Sequence, residues 1–212
     1  MRKINLFTAM LAFVFVQNVS AQDFNDTNIA THVLEVTVPE VAILDIWDSN
    51  TTLEAATILF DMANVTIVNT NAEAGLYAFE DMSYTGLWLN YTSVVGLAGS
   101  GLDVTRQIHV QFESGSTFPG NLDLRITPQA PLLVIDGGTV ASAGDITPGG
   151  VALGVTTPIG QDALLVDSIE SVYTGDETQG VELAYTLEQN GNFAGYLANA
   201  YSATLRYTLS DF

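Results

Sequence analysis

The stretch Ala203-Thr-Leu-Arg-Tyr-Thr-Leu-Ser-Asp-Phe212 decides the fold. Ala203, Leu205, Tyr207 and Leu209 fall on one parity, and Thr204, Arg206, Thr208 and Ser210 on the other. Period-2 alternation is the mark of a half-buried strand, with one face on a core and one in water. Working back from it, Val181, Leu183, Tyr185 and Leu187 alternate with Glu182, Ala184, Thr186 and Glu188, and this run is the expected partner of the terminal strand. Cross-strand neighbours attract when oppositely charged, so Arg206 is expected to face Glu182 or Glu188.

The same reading extends through the chain. Arg106 to Glu113 sets Ile108, Val110 and Phe112 against Gln107, His109 and Gln111, and Leu122 to Thr127 repeats the pattern. Leu87 to Val95 reads as a long strand. His32 to Val38 alternates and stops at Pro39; Val41 to Trp47, Val65 to Val68, Pro131 to Ile135, Val151 to Val155 and Leu164 to Tyr173 read as further strands. Leu53 to Phe60 begins with helix formers and ends with strand formers, so both readings stay open. Roughly ten short strands divided by Gly, Pro, Asn and Asp turns define an all-β, antiparallel sandwich or barrel.

Charge and export signals narrow the setting. Arg2 and Lys3, the apolar Leu6 to Val16 and the small residues Val19-Ser-Ala21 have the order of a secretory signal peptide, residues 1–21. Residues 22–212 are then expected to form one β domain. Beyond residue 21 the chain has no lysine and only three arginines against 24 acidic side chains. That balance opposes binding to nucleic acid or anionic membrane. The absence of cysteine removes disulfides and thiol chemistry. No 20-residue apolar span follows the signal. A membrane barrel is disfavoured because Phe212 shares parity with Arg206 and Thr208, which would put an arginine on the lipid face.

Leu205-Arg-Tyr-Thr-Leu209 and Val181-Glu-Leu-Ala-Tyr-Thr-Leu187 resemble the strands of secreted bacterial surface proteins, and are similar to those of the spore coat protein U-like and chaperone–usher pilin families. The likeness covers about a third of the chain after the signal. It implies an Ig-like, pilin-like sandwich acting outside the cell as a structural or adhesive subunit, self-assembling by lending a strand to a neighbour's sheet edge. The donor would lie in Asp23 to Val38, with His32, Leu34, Val36 and Val38 as its inward set. Members of those families often carry a cysteine pair, which this chain lacks.

The second reading is a glycan-binding module, with Trp47, Trp88 and Tyr91 as stacking rings. No Gly-x-Ser-x-Gly elbow occurs, and the acids Glu113, Asp123, Glu182 and Glu188 sit on polar strand faces, so no enzyme is expected and no catalytic residue is assigned. No organic cofactor is expected. Calcium is the one metal the composition admits, through oxygen-rich turns at 45–50, 136–138 and Asp176-Glu177.

Overall fold

The structure, a computed structural model, describes residues 31–54, 57–68, 78–130 and 138–211. The chain divides into two compact units, Met1–Val38 and Pro39–Phe212. In the first, Thr31–Val38 is described; it forms no strand and is exposed throughout. The strand expected there is therefore absent: alternation supplies an apolar face, but backbone N–H and C=O groups become a strand only against a partner.

The second unit is built from β1 (Val41–Asp48), β2 (Leu53–Glu54), β3 (Met82–Val94), β4 (Arg106–Phe112), β5 (Leu122–Pro128), β6 (Asp145–Ile146), β7 (Val151–Gly154), β8 (Ala163–Ile169), β9 (Val172–Tyr173), β10 (Val181–Gln189) and β11 (Leu205–Asp211). Every pairing is antiparallel. One sheet runs β2-β1-β3-β10-β5-β7, with β9 added to one end of β3, and the other runs β11-β4-β8-β6. Among the described residues there is no α-helix, and no helix is long and apolar enough to cross a membrane.

Alternation does what the sequence demands. β4 and β10 bury every second residue without exception until the end of β10. Leu87, Leu89 and Tyr91 of β3 and Val181, Leu183 and Tyr185 of β10 meet Ile108, Val110 and Phe112 of β4 and Leu165, Val166 and Ile169 of β8 in one core. Each such side chain withdrawn from water contributes about 1.5–3 kcal/mol, and this burial stands in for the missing disulfides. The Leu53 to Phe60 stretch is resolved in favour of packing over propensity. Among its described residues it pairs only at Leu53 and Glu54, and Ile58 and Phe60 tuck against the core from irregular chain. Val65 to Val68 contributes only the isolated bridge Ile67 to Phe79. The expected strand at Pro131 to Ile135 lies outside the described residues.

The terminal strand departs from its expected place. β11 pairs with β4, in unbroken register from Leu205–Phe112 to Asp211–Arg106. β10 is flanked on both sides, by β3 and β5, and has no edge to offer. The segment 190–204 carries the chain from one sheet to the other instead. Its parity holds: Ala203, Leu205, Tyr207 and Leu209 pack on the core, while Arg206 and Thr208 are exposed.

One glycine sets a bend in the long strand. Between Leu183 and Tyr185 of β10 the facing residues on β3 step from Leu87 to Tyr84, an extra residue that forms a bulge. Gly86 lies there at φ +97°, and the turn after β1 presses onto it, with Ser49 N–H donating to its carbonyl at 2.8 Å.

Candidate functional site

The two sheets end differently on their two sides. On one side the chain steps from β6, at the end of the second sheet, to β7, at the end of the first. Thr147 ties the step down through its N–H to Leu165 O (2.9 Å) and its hydroxyl to Leu164 O (2.7 Å). On the other side lie β1 and β11. Among the described residues β2 pairs β1 only at Trp47 and Asp48, Val41 to Ile46 has β3 as its one neighbour, and β11 has only β4. Among the described residues no ladder joins β1 to β11.

A groove of about 310 Å³ opens between them. Leu44, Ile46, Leu89, Leu205 and Tyr207 make it apolar, and Asp45, Glu113 and Arg206 stand around it. Tyr207, which lines it, also reaches across the core: its hydroxyl meets that of Tyr185 of β10 at 2.6 Å, joining the two sheets. Burial above all pushes both phenols well above the ordinary tyrosine range, so they stay neutral.

Arg206 sits on the outer face of β11 and does not meet Glu182 or Glu188, because those belong to the other sheet. It lies opposite Gln111, whose amide oxygen, turned toward it, accepts from the guanidinium; its nearest carboxylate is Glu113 at 4.0 Å, and Arg206 is 56 % exposed. Glu188 is held by Arg125, at 2.5 and 2.9 Å, the cross-strand ion pair expected of an arginine on a polar face.

A second, polar groove of about 320 Å³ runs along the outer face of β4 and β11, lined by His109, Gln111, Asp162, Arg206, Thr208 and Ser210. Gln107 donates to Asp167 at 2.9 Å and so presents its oxygen to His109 Nε2 at 3.0 Å, while Nδ1 lies 3.2 Å from Asp162. Asp162 and Asp167 escaped the sequence reading because they reach His109 and Gln107 across a sheet.

The remaining candidates take the following places. A ring that stacks on a sugar needs an open face. Tyr91 points into the core, 2 % exposed, and donates to Ala143 O at 2.5 Å. Trp88 is 8 % exposed between its register partners Trp47 and Glu182, and only Trp47, half-buried, keeps open ring surface. His32, Leu34, Val36 and Val38 are exposed, the last three at 80, 77 and 72 %. In the 45–50 turn, the buried Asp48 spends its oxygens on Asn50 N–H (2.9 Å), the Thr51 hydroxyl (2.8 Å) and the Tyr84 hydroxyl (3.0 Å), all donors, which is the reverse of a cation site. Asp176 caps its own 3-10 turn, accepting from Glu177 N–H. Asp136 lies outside the described residues. No group of three or more His, Cys, Asp or Glu that could hold a metal ion occurs among the described residues.

Asp123 corrects a sequence reading. Placed with the solvated acids, it is buried at 3 % exposure and accepts from Val155 N–H (2.6 Å), Thr156 N–H (2.9 Å), the Thr156 hydroxyl (2.7 Å) and the Asn190 amide (2.6 Å). It locks the loop after β7 to the end of β10.

No family model, no curated protein and no solved structure matches the chain.

Proposed function

We propose that this chain is an exported structural or adhesive subunit of the cell surface, an Ig-like sandwich of the pilin-like kind that assembles with its own copies by strand pairing. One observation carries the reading. Among the described residues, an alternating apolar segment with no pairing of its own, His32 to Val38, occurs in the same chain as sheet edges left unpaired beside an apolar groove. Either feature alone is a liability, since exposed edges template association; together they are complementary halves of a β-augmentation interface. The acidic surface suits solubility outside the cell and works against nucleic-acid binding. The glycan reading draws less support, with Trp88 and Tyr91 buried and Trp47 alone offering a ring.

Electron microscopy of the protein secreted by cells expressing the whole chain tests the proposal. Filaments or regular multimers are the expected result; monodisperse single particles in the medium would count against it.

A further inference from the structure

We infer that the polar groove on the outer face of β4 and β11 binds a sugar acid, a ring that carries one carboxylate and several hydroxyls. The site is independent of strand pairing and uses none of the rings Trp47, Trp88 and Tyr91.

Its floor is the outward parity of two neighbouring strands. In register, Arg206 lies beside Gln111, Thr208 beside His109 and Ser210 beside Gln107, while Asp162, just ahead of β8, lines the groove beyond β4. These side chains hold one another in place. Asp167 accepts from the Gln107 amide, the Gln107 oxygen faces His109 Nε2, and His109 Nδ1 lies beside Asp162. Gln111 accepts from Arg206 Nε at 2.9 Å and from Nη2, which orients the guanidinium and occupies one of its edges. The other edge, formed by Nη1 and the outer N–H of Nη2, is not taken by Glu113, which stands 4.0 Å from Nη1, beyond hydrogen-bond reach. That edge is a fork matched to a planar carboxylate, which it can grip with two parallel N–H bonds.

Charge points to the same ligand. Beyond residue 21 three arginines face 24 acidic side chains. Arg125 is spent on Glu188 and Arg106 is buried, so Arg206 is the arginine with an exposed head, and it shares this groove with the half-buried His109. An anion repelled by the rest of the acidic surface meets local attraction here. Asp162 and Glu113 favour a single negative charge over a phosphate dianion, which one arginine would not offset. Asp162 also selects the rest of the ligand: a carboxylate only accepts, so the group beside it must donate, as a hydroxyl does. The Thr208 and Ser210 hydroxyls and the free side of the Gln111 amide add the mixed donors and acceptors that a hydroxylated ring satisfies. The volume of about 320 Å³ suits a ligand at the small end of the range such sites take.

Titration calorimetry on the protein of residues 22–212 tests this, with D-galacturonate, D-galactose, acetate and a galacturonate trimer as probes. Galacturonate should bind with a Kd of about 1 mM, about tenfold more tightly than galactose, which lacks the carboxylate, or acetate, which lacks the hydroxyls. Trimer binding at least as tight as that of the monomer assigns the ligand to a polysaccharide, and binding of the monomer alone assigns it to a free sugar acid; both support the site. R206Q should weaken galacturonate about tenfold and leave galactose unchanged, whereas D162A should weaken galacturonate about threefold and leave acetate no weaker. Both positions are exposed, at 56 and 65 %, and an unchanged thermal melt verifies that the variants fold. No saturable binding of monomer or trimer overturns the inference, as does galactose bound as tightly as galacturonate or an R206Q protein that binds like the parent. Acetate bound as tightly as galacturonate, with D162A indifferent to both, overturns the assignment to a sugar.

Discussion

Asp123 and Asp48 show how much a single side chain can hold in a protein without disulfides. Burial alone would raise both carboxyl groups, yet each lies below the ordinary aspartate range. For Asp123 the Thr156 N–H and hydroxyl, the Asn190 amide and the Val155 N–H outweigh burial; for Asp48 the Asn50 N–H and the Thr51 and Tyr84 hydroxyls do. A folded-state value below the unfolded one gives stability that is complete above about pH 4 and lost as the pH falls through the folded value. Asp123→Ala, which strands two backbone N–H groups and an amide, is expected to cost about 2–4 kcal/mol in a urea melt at pH 7. For Asp123→Asn, the gap in melting temperature from the parent should shrink below about pH 4; a gap constant with pH would refute the assignment. Gly86→Ala should cost about 2 kcal/mol, because its φ of +97° suits glycine and a Cβ there would lie 2.6 Å from Asn50 Nδ2 and 2.8 Å from Ser49 Oγ. None of this was legible beforehand. An aspartate on a polar strand face reads the same whether water or a distant loop covers it, and the loop that covers Asp123 comes from residues 155 and 156.

At the scale of elements, β4, β10 and β11 were read correctly in place and in facing, because which side chains meet the core is a local property of period two. Pairing is not local. β11 follows β10 in sequence, yet β10 was already flanked by β3 and β5, so the terminal strand went to the other sheet and Arg206 went with it. His32 to Val38 shows the complementary limit: the pattern of a strand is present and the partner is not. What crosses between the sheets is the hydroxyl pair of Tyr185 and Tyr207. Tyr207→Phe and Tyr185→Phe should each cost about 1–2 kcal/mol by leaving one phenol without its partner. The double variant should cost less than the sum, with a coupling of about 1 kcal/mol in a double-mutant cycle. Strict additivity would show that the two hydroxyls do not act as a pair.

For the whole molecule, the all-β class was legible from turn spacing and alternation. The candidate site was only half so: the donor-like segment is visible in the sequence, whereas the groove between β1 and β11 exists only once the sheet order is known. Pro39–Phe212 is a β unit with its own core, and the proposed function gives residues 32–38 the task of joining copies. The measurement that bears most directly on this is the mass by light scattering of residues 22–212 beside that of residues 39–212, with far-ultraviolet circular dichroism on both. Multimers are expected for the longer protein and a folded monomer with an unchanged β spectrum for the shorter. Equal masses, or a shorter protein that has lost its β spectrum, would contradict it.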